Sequence, residues 1–566
     1  MAAIAYLRGF FETSQPGVEW MGRIFALDQI ARAPAEPFHT PVRAWIERLL
    51  FPQSRVTNLM LIAVISVIFS FLLTGRQIFA AKWGLIDDHE TFEQLISQGS
   101  PIGHVWTALF DPQQILPRNR PAYYLLKAIQ TSLFGSDVRL WYLRNTICFA
   151  LFLFSIWWVA ARFVGGWLGG ALTAMIALLP LWAGIWSRLG PSEIEGSAMT
   201  GAMILCADAV MFSESRLARN IGAVLLAISA VVLAGLKETF LPLALGGTIF
   251  VLVLGVARKR IIPWLAIGLI AISLLFVAMF GLLIWTNARV TGTDYYGKSV
   301  GLSFILEFAA IGILDGFVRT WWLWLLPIAF AQLLQLTSRR SFREWIAGSQ
   351  VAIASYVFII AMYAAQCGLY RSVFPRHMRY DFPAMLLVPL TFCILCCEVS
   401  RRVQSRYPKA VTNRAQLIAA IFIGFAVATS AIQTPALLLA AIDRNIKVTN
   451  GFWSTLQDVV RAGQANAHRP IVVEAYGARS YEGVFALKVY LAALGAPNPV
   501  AIRFYKLNTE PPSPLQGRLM ELEGGGSRFS FSPLAESLNS IPNCISVGLY
   551  GPSDPTCTVG FLVSNE

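Results

Sequence analysis

A polytopic, all-α membrane protein carrying a small soluble domain at its C-terminal end is the fold class predicted for this 566-residue chain. Three observations predict it. The chain is 56% hydrophobic and only 14% charged, with a mean hydropathy of +0.58, too little polar surface to cover a soluble globule. Its apolar residues gather into runs of about twenty, the length of helix that crosses a bilayer. Its cations gather into short clusters between those runs, the pattern of loops that stay on the cytoplasmic side. The net charge of +13 therefore marks topology and a lipid bilayer partner, and no nucleic-acid partner is expected.

Residues 1–56 mix Arg8, Arg23, Arg32, Arg43 and Arg48 with Phe10, Phe11, Trp20, Phe25 and Trp45. This is the composition of cytoplasmic amphipathic helices lying on the membrane, and no cleavable export signal is visible. Residues 57–442 read as the transmembrane domain, with about eleven spans. The first runs from about Leu59 to Phe79; the others begin near Asn145, Trp167, Gly196, Ile221, Thr239, Trp264, Trp321, Trp345, Phe382 and Leu417. Arg216 with Arg219, Arg258-Lys259-Arg260, Arg339-Arg340 with Arg343, and Arg401-Arg402 with Arg406 and Lys409 fall in alternate loops. Those loops and the N-terminus are assigned to the cytoplasm. An odd number of spans then puts the C-terminus outside, together with the loop 80–143. A multi-pass protein of a bacterial inner membrane is expected.

Beyond about Asp443, charge, Pro and Gly return, and 443–566 reads as a periplasmic soluble domain. Ile471-Val472-Val473 predicts a strand, 481–494 a helix and 500–505 another strand, hence a small α/β or α+β domain. Cys544 and Cys557 lie in this domain, where a disulfide between them is expected. Cys393, Cys396 and Cys397 contain a CxxC spacing within an apolar helix that has no nearby His, and read as small core residues.

Charge at a membrane boundary is costly to place, so ionisable clusters there are the functional candidates. Asp87-Asp88-His89-Glu90 stands just past the first span. Part of it has a structural reading: Asp87 as a helix N-cap and Glu90 completing a capping box, followed by Phe92, Leu95 and Ile96 at helical spacing and by Gly99 as the stop. Asp88 has no such reading. Neighbouring carboxylates repel, so a basic side chain, a divalent cation or a substrate must stand close. A carboxylate held at the water boundary can take a proton from an acceptor hydroxyl, which makes Asp87 and Asp88 the candidate bases.

About thirty residues later, Arg118-Asn119-Arg120-Pro121-Ala122-Tyr123-Tyr124 opens a helix with Pro121 at its first position. Free N–H groups, the helix dipole and the two arginines together make a phosphate site, the plainer alternative being non-specific contact with lipid phosphates. Tyr124 and Lys127 belong to the same helix, Lys127 one turn beyond Tyr123. Arg188, ahead of Gly190-Pro191-Ser192-Glu193, and the loop holding Arg371, Arg376, His377, Arg379 and Asp381 face outward against the positive-inside pattern, which points to phosphate or pyrophosphate binding. Lys237-Glu238 reads equally as a snorkelling hairpin tip and as part of a cavity. His89 and His104 lack zinc-site spacing.

In this arrangement the chain resembles the GT-C superfamily of membrane glycosyltransferases, in the branch of lipid A aminoarabinose transferases and protein O-mannosyltransferases. The resemblance covers roughly residues 55–400. It is carried by Asp87-Asp88, the stretch to Gly99, Arg120-Pro121-Ala122-Tyr123-Tyr124, Gly135, Arg139 or Arg144, the Gly-Pro-x-Glu run at Gly190 to Glu193 and the Arg-Tyr-x-x-Pro run at Arg379 to Pro383. It implies a GT-C-like fold, a polyprenyl-phosphate sugar donor, an extracytoplasmic hydroxyl acceptor on a lipid, glycan or protein, and transfer with inversion. Asp87 or Asp88 would be the base. Glu90, Arg118, Arg120, Tyr124, Lys127, Arg188, Glu193, Arg376, His377 and Arg379 would bind the substrate and its phosphate. The family pair is often Asp-Glu where this chain has Asp-Asp-His-Glu, which leaves the base open between the two aspartates, and metal dependence stays open too. Three other readings compete, one of them a non-catalytic envelope scaffold that presents the C-terminal domain and needs neither Asp88 nor the outward arginines. A transporter or flippase of a lipid-linked sugar usually shows repeat-related broken helices, and no such symmetry is visible. An O-antigen-type polymerase or ligase would use the outward arginines but gives no reason for the acidic pair.

Overall fold

The computed structural model describes residues 55–96 except 86, 100–103, 105, 120–291, 302–319, 353–354, 357–368, 379–386, isolated positions from 389 to 423, 434–465 and 467; in the tail it describes 471–476, 481–496, 498, 500–505, 545–549 and 561–565. The expected amphipathic N-terminal segment, Gly99, His104, Arg118, Arg376, His377, Cys397, Cys544, Cys557 and the span expected from Trp321 lie outside the described residues, and the span expected from Trp345 is described only at 353–354 and 357–368. The described residues from Asn58 onward belong to one compact unit.

The first span is α1 (Arg55–Thr74), followed by the short α2 (Arg76–Ala80), an irregular strap over 81–85, α3 (His89–Ile96) and α4 (Pro121–Phe134). Next come α5 (Val138–Val164), α6 (Gly166–Ala177), a 3-10 turn at Pro180–Trp182, and α7 (Ala183–Trp186). Helices α8 (Glu193–Phe212), α9 (Arg216–Leu236), α10 (Leu241–Ala257), α11 (Pro263–Thr291), α12 (Leu302–Arg319) and α13 (Val357–Gly368) continue the bundle. Among the described residues, five helices are long and apolar enough to cross a membrane, or six if the pair Gly166–Ala177 and Pro180–Trp186, bent by 56°, is one span. The chain is a multi-pass membrane protein. Helix α12 had no counterpart in the expected spans, because Glu307, Asp315 and Arg319 interrupt its apolar run.

Local chemistry sets the helix ends. Pro121 takes the first position of α4, where its missing N–H costs nothing. Asp137 caps α5 by accepting from Arg139 N, and Ser215 caps α9 by accepting from Ala218 N. Helices α8 and α9 approach closely at Gly222, where a Cβ would meet the Cys206 carbonyl at 3.3 Å and Ala209 Cβ at 3.0 Å. Arg219 donates to the Arg260 carbonyl at 2.8 Å, so the basic starts and ends of α9 and α10 share one end of the bundle. The loops 187–192 and 237–238 and the turn Arg379–Asp381 gather at the other end. Beneath them Trp182, Trp186, Phe149, Phe240 and Phe382 form a layer of fully buried rings, with Phe382 centred 5.4 Å from both Trp182 and Phe240. Cys393 and Cys396 pack in the same core.

Helix α14 (Thr434–Ala465) runs unbroken through the expected boundary at 442/443. It leads to β1 (Ile471–Tyr476), α15 (Tyr481–Ala493), β2 (Val500–Tyr505), β3 (Ile545–Leu549) and β4 (Phe561–Asn565). The sheet order is β2-β1-β3-β4; β1 pairs in parallel with β2 and β3, and β3 pairs antiparallel with β4. A second apolar cluster joins this tail to the first loop, bringing Phe452, Leu456, Leu487 and Tyr490 against Trp83, Phe92, Trp141 and Tyr142.

Candidate active site

Asp87 stands at the centre of the charged end of the bundle. Its backbone is left-handed, with φ 69, a conformation that Asp tolerates better than most residues and that recurs at functional sites. It turns the carboxylate toward Arg379, whose guanidinium donates to Oδ2 at 3.2 Å across 292 positions of sequence. Gly190 makes this possible: a Cβ there would lie 2.0 Å from Asp87 Cβ. Burial alone would raise the Asp87 pKa, but the charge and hydrogen bond of Arg379, with His89 and Arg188 nearby, outweigh it and hold the carboxyl below its usual range. The side chain is still 24% exposed. It is an ionised carboxylate that a second molecule can reach.

Asp88 faces the other way. Helix α3 opens at His89, so Asp88 rather than Asp87 directly precedes it, and the expected Asp87–Glu90 capping box does not form in that register. Asp88 is 4% exposed, and its Oδ2 accepts from Gly84 N at 2.7 Å. Burial is the leading influence and lifts its pKa to about 7, against the opposing pull of Lys127 and the Gly84 N–H. Its structural role escaped sequence reasoning because its partner lies on a strap of irregular backbone.

Glu90 accepts from the Tyr123 hydroxyl at 2.6 Å. Burial pushes the Glu90 carboxyl up despite Lys127 and this hydrogen bond. Burial also lowers the His89 pKa to about 4, so the imidazole is neutral at physiological pH. Lys127 is buried, with Nζ 4.8 Å from the centre of the Trp141 ring; among the described residues no carboxylate lies at ion-pair distance from it. Tyr124 is half-buried, edge-on to Tyr123 at 5.4 Å. Arg188 is exposed, and its charge reaches Asp87.

Arg120 is not free to meet an anion. It forms a forked pair with Glu238, with Nη2 to Oε1 at 2.8 Å and Nε to Oε2 at 3.1 Å. Lys237, the neighbour of Glu238, is 3% exposed, pairs with Glu193 at 2.5 Å and lies 4.7 Å from the Tyr380 ring centre. The two residues of the hairpin tip are therefore both drawn into the site. Arg144 pairs with Glu195 at 2.5 Å and also meets Gln130 and the Leu189 carbonyl, whereas Arg139 is exposed. Tyr123, Glu195, Lys237, Glu238 and Tyr380 are the members that the motifs did not single out as binding residues. For Glu195, Lys237 and Glu238 the sequence signal was charge at span ends, and Tyr123 and Tyr380 stood inside quoted motifs with no role given to them.

Among the described residues, no group of three or more His, Cys, Asp and Glu side chains is placed to hold a metal ion. The positive partner of Asp87 is Arg379. A cavity of about 330 Å³, lined by Trp83, Phe92, Leu95, Trp453 and Leu494 among others, has no titratable lining residue.

No family model and no curated protein matches the chain. Among solved structures, the chain is similar to ArnT from Cupriavidus metallidurans in the apo state, at 15% identity over 86% of this chain and 92% of that one, with a TM-score of 0.41.

Proposed function

We propose that the chain is an integral-membrane glycosyltransferase that moves a sugar from a polyprenyl-phosphate donor to an extracytoplasmic hydroxyl, with inversion at the anomeric carbon. One observation carries the reading. Asp87 is an ionised, reachable carboxylate, wedged against Gly190 at the end of the bundle opposite the basic loops. By the positive-inside rule that end is extracytoplasmic, and the membrane is a bacterial inner membrane.

Asp87 acts as the general base. It takes the proton of the acceptor hydroxyl as that oxygen attacks the anomeric carbon. The anomeric C–O bond breaks on the opposite side, and its electron pair leaves on the polyprenyl phosphate. Charge grows on that phosphate, so the cations that meet it stabilise the transition state. Lys127, Arg188 and Arg379 fill that role, with Arg118, Arg376 and His377 assigned to it from the sequence. Arg120 enters it if Glu238 swings away. Tyr124, Glu90 and Glu193 shape the pocket. Asp88 holds the turn on which Asp87 sits.

The test is transfer from polyprenyl-phosphate sugars in reconstituted membranes by Asp87→Asn and Asp88→Asn. Loss of about 100-fold or more in Asp87→Asn is expected from the scale of general-base catalysis, with Asp88→Asn retaining most activity. Full transfer by both variants would defeat the base assignment. Movement of the lipid across the bilayer with no glycoside formed would make the chain a flippase.

A further inference from the structure

Past the Ala81 N–H, which still donates to the Gln77 carbonyl of α2, the strap from the end of α2 to Gly84 belongs to no helix or sheet, yet its backbone is fixed by side chains. The Ala80 carbonyl accepts from Asn450 Nδ2 at 2.8 Å, and Lys82 N donates to Thr449 Oγ1 at 3.2 Å. The Lys82 carbonyl accepts from the Tyr142 hydroxyl at 3.4 Å, which in turn accepts from Asn445 Nδ2 at 2.9 Å. The Gly84 carbonyl accepts from the Tyr490 hydroxyl at 2.6 Å, and Gly84 N donates to Asp88. Asn445, Thr449 and Asn450 belong to α14 and Tyr490 to α15. Tyr490 is itself held between Phe92 at 4.7 Å, Phe452 at 5.3 Å and Trp453 at 6.3 Å. A domain that merely shields the site needs apolar contact alone. Buried hydrogen bonds to specific backbone atoms add little net stability but fix geometry.

We infer that α14 and α15 form a positioning frame for the base, in which the Tyr490 hydroxyl fixes Gly84, Gly84 holds Asp88, and the two together set the left-handed backbone and aim of Asp87. The inference rests on the proposed transferase for its kinetic readout only. Tyr490 is a positioning residue and touches no substrate.

The full-length chain in lipid nanodiscs provides the test, with a polyprenyl-phosphate hexose and an envelope lipid extract as probes and amide hydrogen exchange as an activity-free readout. Tyr490→Phe keeps the ring and loses the hydrogen bond. Exchange over 82–88 is expected to quicken roughly fivefold, the equivalent of one hydrogen bond. The kcat falls about tenfold while the donor KM stays within about twofold, because aiming the base matters in the transition state alone. Asn450→Ala moves both readouts the same way should Tyr490→Phe fold poorly. Asp88→Ala, which removes the acceptor of the Gly84 N–H, moves both readouts the same way. Asp458→Asn, at an exposed ion pair on α14, changes neither. Unchanged exchange and kcat in Tyr490→Phe overturn the frame, as does a loss of kcat that merely tracks thermal stability. Quickened exchange alongside a wild type that transfers no sugar defeats the transferase reading and leaves the frame standing.

Discussion

Gly190→Ala isolates the aim of Asp87 without touching an ionisable group. The added Cβ would lie 2.0 Å from Asp87 Cβ, 2.8 Å from Cγ and 2.9 Å from Oδ2. Carbon atoms in contact settle at about 3.5–4.0 Å, so Asp87 must retreat by roughly 1.5 Å or more. Arg379 reaches Asp87 at 3.2 Å, and that retreat breaks the contact. Misplacing a catalytic group by about 1 Å costs on the order of 100-fold in rate. The kcat for sugar transfer should therefore fall by about 100-fold or more, with donor KM far less affected, because Lys127 and Arg188 are untouched. The clash falls on Asp87 Cβ, which no rotamer change can move, so the backbone at Asp87 must shift, and the fold of the variant is checked alongside its rate. Initial rates in reconstituted vesicles, normalised to folded protein by size exclusion, check this. A folded Gly190→Ala protein with wild-type kcat would refute the view that Asp87 must be wedged against position 190 to act.

Three further outcomes are expected. Arg379→Gln removes the charge that holds the Asp87 carboxyl low; the base works unprotonated, so the acid limb of the kcat/KM profile should move to higher pH, and an unmoved limb would separate Asp87 from that limb. Asp88 has a folded-state pKa of about 7, above the ordinary 3.8; its contribution to stability is full below about pH 4 and lost as pH rises through about 7. Thermal melts of Asp88→Asn should lose that slope and run higher than wild type above pH 7. Lys237→Met strands the buried Glu193 carboxylate and should cost about 3–5 kcal/mol, and adding Glu193→Leu should recover most of it; a double variant as unstable as the single would show that the pair is not the cause.

The span ends and the outward cations were legible in the sequence because hydropathy and charge alternate over short distances. That legibility put Asp87 and Arg379 at one face, though nothing local says that they touch. The pairs Arg120–Glu238 and Lys237–Glu193 were hidden, since the first joins residues 118 positions apart and the second 44. At 237–238 the snorkelling and cavity readings balance in the sequence, and the structure shows both side chains ion-paired, Lys237 with Glu193 and Glu238 with Arg120. Asp88 seemed to lack a structural reason because that reason is Gly84, itself held by Tyr490, some 400 residues downstream. The strand–helix–strand run of the tail was readable from its alternation, but not the docking of its helix onto α3.

The tip between α9 and α10 has a consequence for how the chain enters its membrane. The hairpin 216–257 keeps its cations, Arg216, Arg219 and Arg258 to Arg260, at its two open ends. On the topology proposed above, what must traverse the bilayer is Lys237-Glu238, one positive and one negative charge side by side. The membrane potential does about 2.3 kcal/mol of work per unit charge per 100 mV, and on this tip the two contributions cancel. The hairpin can thus be threaded with its orientation set wholly by its cationic ends, while two site residues ride across as a neutral dipeptide and find their separate partners, Glu193 and Arg120, only after arrival.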